Sequence, residues 1–364
     1  MSDRAVIVAI PVKNEEGRIA ACLDALARQT VPINKILLLL NNCTDGTAAV
    51  AHAAAAADPA LRIMQVELEP EIASAGEARR LALLHAADLA GETGIIVTTD
   101  ADCVPGREWI AQNLREIKRG ADVVCGMARV GGEDDATMPM RLHFDLVRES
   151  MYAALIDEII ALVDPDPADP WPRHQHDSGA SIAMTAAILR EAGGAPRVPH
   201  GEDRALIQRF RTVDAKIRHA PDIEVQVSAR LEGRAAGGMA EALRRRANKL
   251  DEMTDAAYEP AVDAYRRVLA RARLRAIRGS FQAGGELAQD LLVHPARLAA
   301  VLQAKYFGAA WEIVQKMSPV LQRRRVKFAA LAGETRQAIA LRDQLVQDLM
   351  AEQVHSSVRG QHAG

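Results

Sequence analysis

The stretch GIIVTTDADCVP, residues 94–105, ends an apolar run in two carboxylates one residue apart, Asp100 and Asp102. On an ideal strand two such side chains share a face, and where the chain turns at the strand's end both can converge on one point. Hard oxygen ligands of this kind suit a divalent cation such as Mg²⁺ or Mn²⁺, which completes its shell with water and substrate phosphates. A solvated acidic turn is the plainer explanation, because D-x-D alone is a short motif. A second acidic feature, HGEDRAL, puts Glu202 and Asp203 at the start of a helical pattern far along the chain. Acids there favour the helix macrodipole. A carboxylate held near an acceptor hydroxyl can also take its proton during a group transfer.

The elements that must position these groups are readable from the pattern. AVIVAIPV (5–12), KILLLLNN (35–42), RIMQVEL (62–68), GIIVTTD (94–100) and ADVVCGMARV (121–130) read as buried strands. The segments between them, GRIAACLDALARQ, TDGTAAVAHAAAAAD, SAGEARRLALLHAADLA and REWIAQNLREIKRG, read as helices. Strands alternating with helices imply right-handed crossovers and a mostly parallel sheet covered on both faces. Ligands bind such sheets outside the carboxyl ends of their strands. One long helix is expected over about 136–163, stopped by the prolines of DPDPADPWPRHQHD. GASIAMT then reads as a strand, AAILREAGG as a short glycine-closed helix, and GEDRALIQRFRTV as a helix. The segment VSARLEGRAAGG follows the last strand.

Beyond about residue 235 the pattern is helical only, with Val262, Tyr265, Leu269, Ala272 and Ala276 at helical spacing, as are Leu341, Leu345 and Leu349. The division expected is a first domain over 1–234, a helical region over 235–354 and a disordered tail over 355–364. Tyr265 to Lys327 holds thirteen Lys or Arg against three acids, so that region is locally basic. Such a face suits anionic lipid at the inner face of a membrane. A helical cap or a homodimer element with solvated arginines is the plainer explanation.

Composition removes several classes. The 364 residues, 49% apolar, suffice for a sizeable core. A net charge of −3 gives no reason to expect nucleic acid, and 3% aromatics argue against a stacking platform for single strands. Cys22, Cys43, Cys103 and Cys125 lack the C-x-x-C spacing of a zinc or redox site and read as reduced thiols of a cytoplasmic protein. The N-terminal apolar segment is too short for a signal sequence, and no apolar run is long enough to span a membrane.

Taken in order, IPVKNEE, NNCTDGT, SAGEARRLALLHA, TTDADCVP, GASIAMT and HGEDRAL resemble family 2 glycosyltransferases of the GT-A fold, over roughly residues 5–230. The resemblance implies a Rossmann-like α/β domain that binds a UDP- or GDP-sugar, with an acceptor left unidentified. Pro11, Val12, Asn14 and Glu15 would meet the base and ribose. Asn41 and Asn42 stand where many members carry an acidic pair, which leaves the choice of base open. Asp45 opens the next helix, where an N-cap explains it as well; Gly76 precedes Arg79, which matches a basic position facing the donor diphosphate. Asp102 would bridge the metal to the diphosphate, with Asp100 and the intervening Ala101 beside the ribose or metal. Asp203 would be the base of an inverting displacement and Glu202 would contact the acceptor.

Arg230 and Arg234, among flexible glycines, would suit a loop closing over the donor; a linker with solvated arginines would look the same. His174 and His176 beside Asp177 fit an acceptor loop better than a metal site, and His200 and His219 read first as structural histidines. Three alternatives remain. One is a retaining enzyme of the same fold acting on glycerate or phosphoglycerate. Another is a nucleotidyltransferase, for which PVKNEEGR is a poor phosphate loop. The third is a binding protein without catalysis.

Overall fold

Burial on both faces explains why the first strands read as unbroken apolar runs. In strand β1 (Val6–Val12), Val6, Val8, Ile10 and Val12 belong to one core while Ile7 and Ala9 belong to the other. Strand β2 (Lys35–Asn41) repeats this, with Ile36, Leu38 and Leu40 on the first side and Leu37 and Leu39 on the second. A strand covered on both sides has no solvent face, so its sequence need not alternate. The computed structural model describes residues 4–130, 138–228, 239–248, 252–278 and 284–361.

Strands β3 (Leu61–Val66), β4 (Ile95–Thr98), β5 (Val104–Pro105), β6 (Val123–Val130), β7 (Ile182–Thr185) and β8 (Ile217–Val227) complete one sheet in the order β3-β2-β1-β4-β7-β6-β8-β5. β1, β2, β3 and β4 run parallel, and β6 pairs parallel with β8. β7 is antiparallel to both β4 and β6, and β5 is antiparallel to β8. The mostly parallel sheet expected from the alternation is therefore present, with β7 reversed at its middle. Pro105 sits in the two-residue β5.

Helices α1 (Ile19–Ala27), α2 (Thr47–Ala57) and α4 (Trp109–Lys118) cover one face through Ile19, Cys22, Ala51, Trp109 and Ile110. Helix α3 (Ala75–Ala90) covers the other with α6 (Ala186–Glu191) and α7 (Glu202–Thr212), through Ala78, Ala82, Leu83, Ile188, Leu206 and Phe210. Ser74 caps α3 by accepting from the Glu77 N–H at 3.1 Å, and Glu77 in turn holds Arg80. That cap sets the start of α3, and with it the position of Arg79 one turn in.

The chain divides into two compact units. The first holds Met1–Pro139 and Arg173–Asn248, including helix α8 (Met239–Ala247); the second holds Met140–Pro172 and Lys249–Gly364. The long helix α5 (Met140–Val163) thus belongs with the C-terminal helices, whereas chain order assigns it to the first domain. The reason is packing. Tyr152, Ile156 and Ile159 of α5 share a core with Ala261 and Ala264 of α9 (Ala261–Ile277) and with Leu331 and Ala338 of α13 (Leu331–Gln361).

A second core joins α9 to α10 (Gly284–Asp290), α11 (Pro295–Val301) and α12 (Phe307–Met317) through Leu274, Leu287, Leu298 and Val314. Helix α13 runs to Gln361, across the stretch read as a tail, which holds no proline and no glycine before Gly360. No helix among the described residues is long and apolar enough to cross a membrane.

The arginines of the basic region are largely engaged inside this unit. Arg267 binds Glu259 at 2.6 and 2.7 Å, Arg271 binds Asp164 at 2.5 Å, and Arg273 binds Asp290 at 2.6 Å. Arg324 holds Asp263, while Arg323 and Arg325 donate to the carbonyls of Ala257 and Thr254. The excess of positive charge therefore works chiefly as internal fastening.

Candidate active site

The carboxyl ends of β1 and β2 lead into two loops that are tied to each other. Asn14, at φ 54°, accepts from the Thr44 N–H at 2.8 Å, and the Glu15 N–H donates to Thr47 Oγ1 at 2.7 Å. Gly46 N–H donates to Glu16 at 3.0 Å. Asp45 accepts from the Thr47 N–H at 3.0 Å in the turn just before α2, whose N-cap position is Gly46. Burial opposes it, but hydrogen bonds from Thr47 and Glu16 draw the Asp45 carboxyl below its usual pKa. Pro11 and Val12 lie at the end of β1 in register with Leu39 and Leu40; Val12 is buried and Pro11 half-buried.

Asn42, at φ 48°, directs both ends of its side-chain amide at one residue. Nδ2 donates to the Leu68 carbonyl at 2.9 Å and Oδ1 accepts from the Leu68 N–H at 3.0 Å. Those bonds continue the β2–β3 pairing past the strand end. Neighbouring Asn41 is buried, and its Oδ1 has no hydrogen-bond partner among the described residues. Of the two amides, Asn41 is the one that retains an unused acceptor.

Arg79 is the centre of the site. It is 4% exposed and donates through every guanidinium nitrogen: Nε to Glu202 at 3.2 Å, Nη1 to Thr98 at 2.9 Å and to the Gly179 carbonyl at 3.3 Å, and Nη2 to Asp100. Burial works against its charge, and the surrounding Asp100, Glu202 and Asp203 more than restore it. Arg79 therefore joins the two acidic motifs that stand far apart in the sequence. Its nitrogens are engaged with protein acceptors.

Two glycines make room for this arrangement. A Cβ at Gly179 would lie 2.5 Å from Arg79 Nη2, and one at Gly76 would lie 2.4 Å from the Val198 carbonyl and 3.1 Å from Glu202 Cβ. Gly76 thus lets α3 approach the start of α7, and Gly179 lets the loop before β7 lie against the guanidinium.

Asp100 and Asp102 sit on either side of the buried Ala101 after β4. Ligand atoms of Asp100, Asp102 and Cys103 all lie within 4.8 Å of one another. The donor set decides which ion this would suit. Burial first, then Asp100 and Asp102, push the Cys103 thiol well above its usual pKa, which disfavours the thiolate that a soft metal would need. Burial and the same two aspartates push Cys22 up to about 12. What remains is a pair of hard carboxylates in a region of negative potential, which fits Mg²⁺ or Mn²⁺ and not a soft metal.

Asp203 is held by two backbone donors, Gly179 N–H at 3.2 Å and its neighbour Arg204 N–H at 2.8 Å. Burial, and after it the adjacent Glu202, raise its pKa above the ordinary aspartate value. A carboxylate fixed in orientation and made more basic is equipped to take a proton.

Behind the loop that carries Gly179 lies a second polar network. Asp177 takes a two-pronged contact from Arg211 of α7, at 2.8 and 3.0 Å, and lies 3.2 Å from His219 Nε2 on β8. His174 accepts from the His176 N–H at 3.0 Å and its Nε2 lies 3.3 Å from the Ala220 carbonyl. Cys125, Asp177 and His219 are close enough to share an ion. The Arg211 guanidinium already occupies Asp177, however, and its charge opposes a cation there, so this is a fastening. His200 is exposed. Arg230 and Arg234 lie outside the described residues.

Thr98, Gly179 and Arg211 were not singled out from sequence. Gly179 alone left a signal, as the glycine preceding a strand, and nothing in its spacing points to a guanidinium 100 residues earlier.

Comparison with known proteins adds independent information. Residues 7–169 match the sequence profile described as Glycosyl transferase family 2. Glycosyltransferase AglE of Haloferax volcanii is 30% identical over 235 residues, which cover 58% of this chain and 73% of that protein. Among solved structures, the mannosyltransferase PcManGT from Pyrobaculum calidifontis, in complex with GDP-Man and Mn²⁺, is 19% identical with a TM-score of 0.44, over 96% of this chain and 88% of that one. TarS 1-349 of S. aureus, in complex with UDP-GlcNAc, is 17% identical with a TM-score of 0.47, over 86% and 91% of the two chains.

Proposed function

The chain belongs to glycosyl transferase family 2, with the GT-A fold, and is a glycosyltransferase; from that premise we propose that it moves a sugar from a UDP- or GDP-sugar to an acceptor hydroxyl, with Mn²⁺ or Mg²⁺ held at Asp100 and Asp102. Asp203 is the base, and the configuration at the anomeric carbon is inverted. The observation that carries this reading is the Arg79 bridge, which sets the Asp100 centre and the Glu202/Asp203 centre against one guanidinium.

Sugar transfer expels a nucleoside diphosphate, and the charge that develops on it must be balanced. A bound divalent cation supplies that electrostatic stabilisation. The protein's own part is placement. Arg79 fixes Asp100 from behind, so the carboxylate is oriented before a donor arrives. Across the guanidinium, the Gly179 and Arg204 N–H groups fix Asp203, whose raised pKa suits it to take the acceptor's proton. Glu202, held by Arg79, borders the acceptor side. Asn42 is committed to Leu68, and Asn41 Oδ1, though unpartnered among the described residues, is buried, so neither amide is presented to a nucleotide base as the structure stands.

The test is donor turnover with water as acceptor, using UDP- and GDP-hexoses with Mn²⁺. Asp102→Ala and Asp203→Asn should each lower turnover by roughly 10²–10⁴-fold, and the released sugar should carry the inverted configuration by NMR. A retained configuration would remove Asp203 from the role of base and favour the retaining alternative.

A further inference from the structure

Helix α5 carries apolar side chains on two opposite faces. Leu142, Tyr152, Ala153, Ile156 and Ile159 are buried. On the other side Met140, Phe144, Val147 and Met151 recur at spacings of four, three and four, and are 75%, 58%, 44% and 61% exposed. At about 100° per residue these four fall within a stripe roughly 60° wide, opposite the buried set. A helix apolar on both sides is suited to being covered on both, and among the described residues only the inner side is covered.

The charges around the stripe indicate what the cover is. Arg141 and Arg148 flank it on one side, about half exposed, and share the mostly buried Asp145 at 3.5 and 3.8 Å. His143 and Ser150 flank the other side, both exposed. Glu149 points inward and accepts from the Asp255 N–H. Among the helix's own described side chains between Met140 and Met151, the outer surface is therefore apolar and cationic, with no exposed carboxylate.

We propose that this face docks on an anionic lipid bilayer. Met140, Phe144, Val147 and Met151 enter the boundary between headgroups and acyl chains, and Arg141 and Arg148 meet the headgroup phosphates. A second copy of the chain fits less well. Pairing two α5 helices antiparallel sets arginine flank on arginine flank, and pairing them parallel sets it on the acid-free His143 flank. The basic run at 323–325 is a weaker lipid candidate, because those arginines are engaged within the helical unit. Helix α5 is already folded on its inner face, so docking orders no new backbone. This surface is independent of the sugar-transfer reading, and failure of either leaves the other standing.

The experiment is co-sedimentation of the full chain with phosphatidylcholine vesicles, with and without phosphatidylserine. The wild type should bind the anionic vesicles about tenfold better than the neutral ones, and Phe144→Ser with Met151→Ser should reduce that binding by about tenfold. Arg141→Gln with Arg148→Gln should lose most of the preference for anionic lipid. These side chains are exposed, so circular dichroism and thermal midpoint should be unchanged. Arg244→Gln with Arg245→Gln, in the run of three arginines at 244–246 of α8, should bind as the wild type does. The proposal is overturned if neither vesicle binds, if the apolar variant binds equally well, or if the Arg244/Arg245 variant alone loses binding. It is also overturned if light scattering finds a dimer that Phe144→Ser with Met151→Ser dissociates, which would make the face a self-interface.

Discussion

Arg79 holds Asp100 through Nη2 while its Nε holds Glu202, so one buried guanidinium orients the first carboxylate of the D-x-D motif against the motif at the start of α7. Replacing it with methionine keeps an unbranched apolar stem out to about the position of Nε and removes the charge. Arg79→Met should destabilise the protein by about 2–3 kcal/mol, less than for a fully buried pair because Asp100 is partly exposed. Turnover should fall by more than that loss of folded protein explains, since Asp100 and Glu202 lose their common anchor. Chemical denaturation alongside kinetics on the folded fraction separates the two effects.

Gly179 tests the same arrangement from the other side. Gly179→Ala places a methyl group 2.5 Å from Arg79 Nη2, so either the guanidinium or the loop must move. A cost of about 1–3 kcal/mol is expected, with turnover reduced at least tenfold by displacement of Asp203 from its Gly179 donor. Near wild-type kinetics would mean that this loop adjusts freely and does not position the base.

The acid limb of the rate profile should report Asp203. Its pKa is raised by burial and by Glu202, so the base is lost to protonation at a pH above the ordinary aspartate value as pH falls. Glu202→Gln removes the neighbouring charge and should move that limb to lower pH. A limb that does not move under Glu202→Gln would dissociate it from Asp203.

Asp177 makes a separate prediction about stability. Burial raises its pKa, but Arg211 and His219 outweigh burial and hold the carboxyl well below its usual range. A depressed folded pKa contributes stability that is present above the unfolded value and lost as pH falls through the folded one. Asp177→Asn should therefore cost about 2–3 kcal/mol, discounted for the partial exposure of Arg211. The cost should be present at neutral pH and shrink below about pH 4, where the unfolded carboxyl also takes up its proton. Urea unfolding at several pH values reads this directly, and a cost that grows on acidification would contradict it.

The legible parts of this fold were those where local sequence and burial coincide. β1, β2 and β4 are apolar on both faces, so their runs stand out without an alignment, and Ser74 and Glu77 mark the start of α3. β8 was implied only as the strand before VSARLEGRAAGG; its outer half alternates, with Ile223, Val225 and Val227 buried and Glu224 and Gln226 exposed. The assignment of α5 to the helical unit could not be read, because it rests on Tyr152 and Ile159 meeting residues more than a hundred positions later. For the same reason both acidic motifs were found and the arginine joining them was given a different partner. Spacing reveals which residues could do chemistry; the groups that hold them come from wherever the fold brings the chain back.

The central claim is that Asp100 and Asp102 hold a cation for a nucleotide donor, and calorimetric titration tests it most directly. UDP and GDP are each titrated with and without Mn²⁺ into the wild type and into Asp102→Ala. The account predicts that one nucleotide binds, that Mn²⁺ strengthens binding, and that Asp102→Ala abolishes the Mn²⁺ effect. Binding that is equally strong without metal and in Asp102→Ala, or no binding of either nucleotide under any condition, would contradict it.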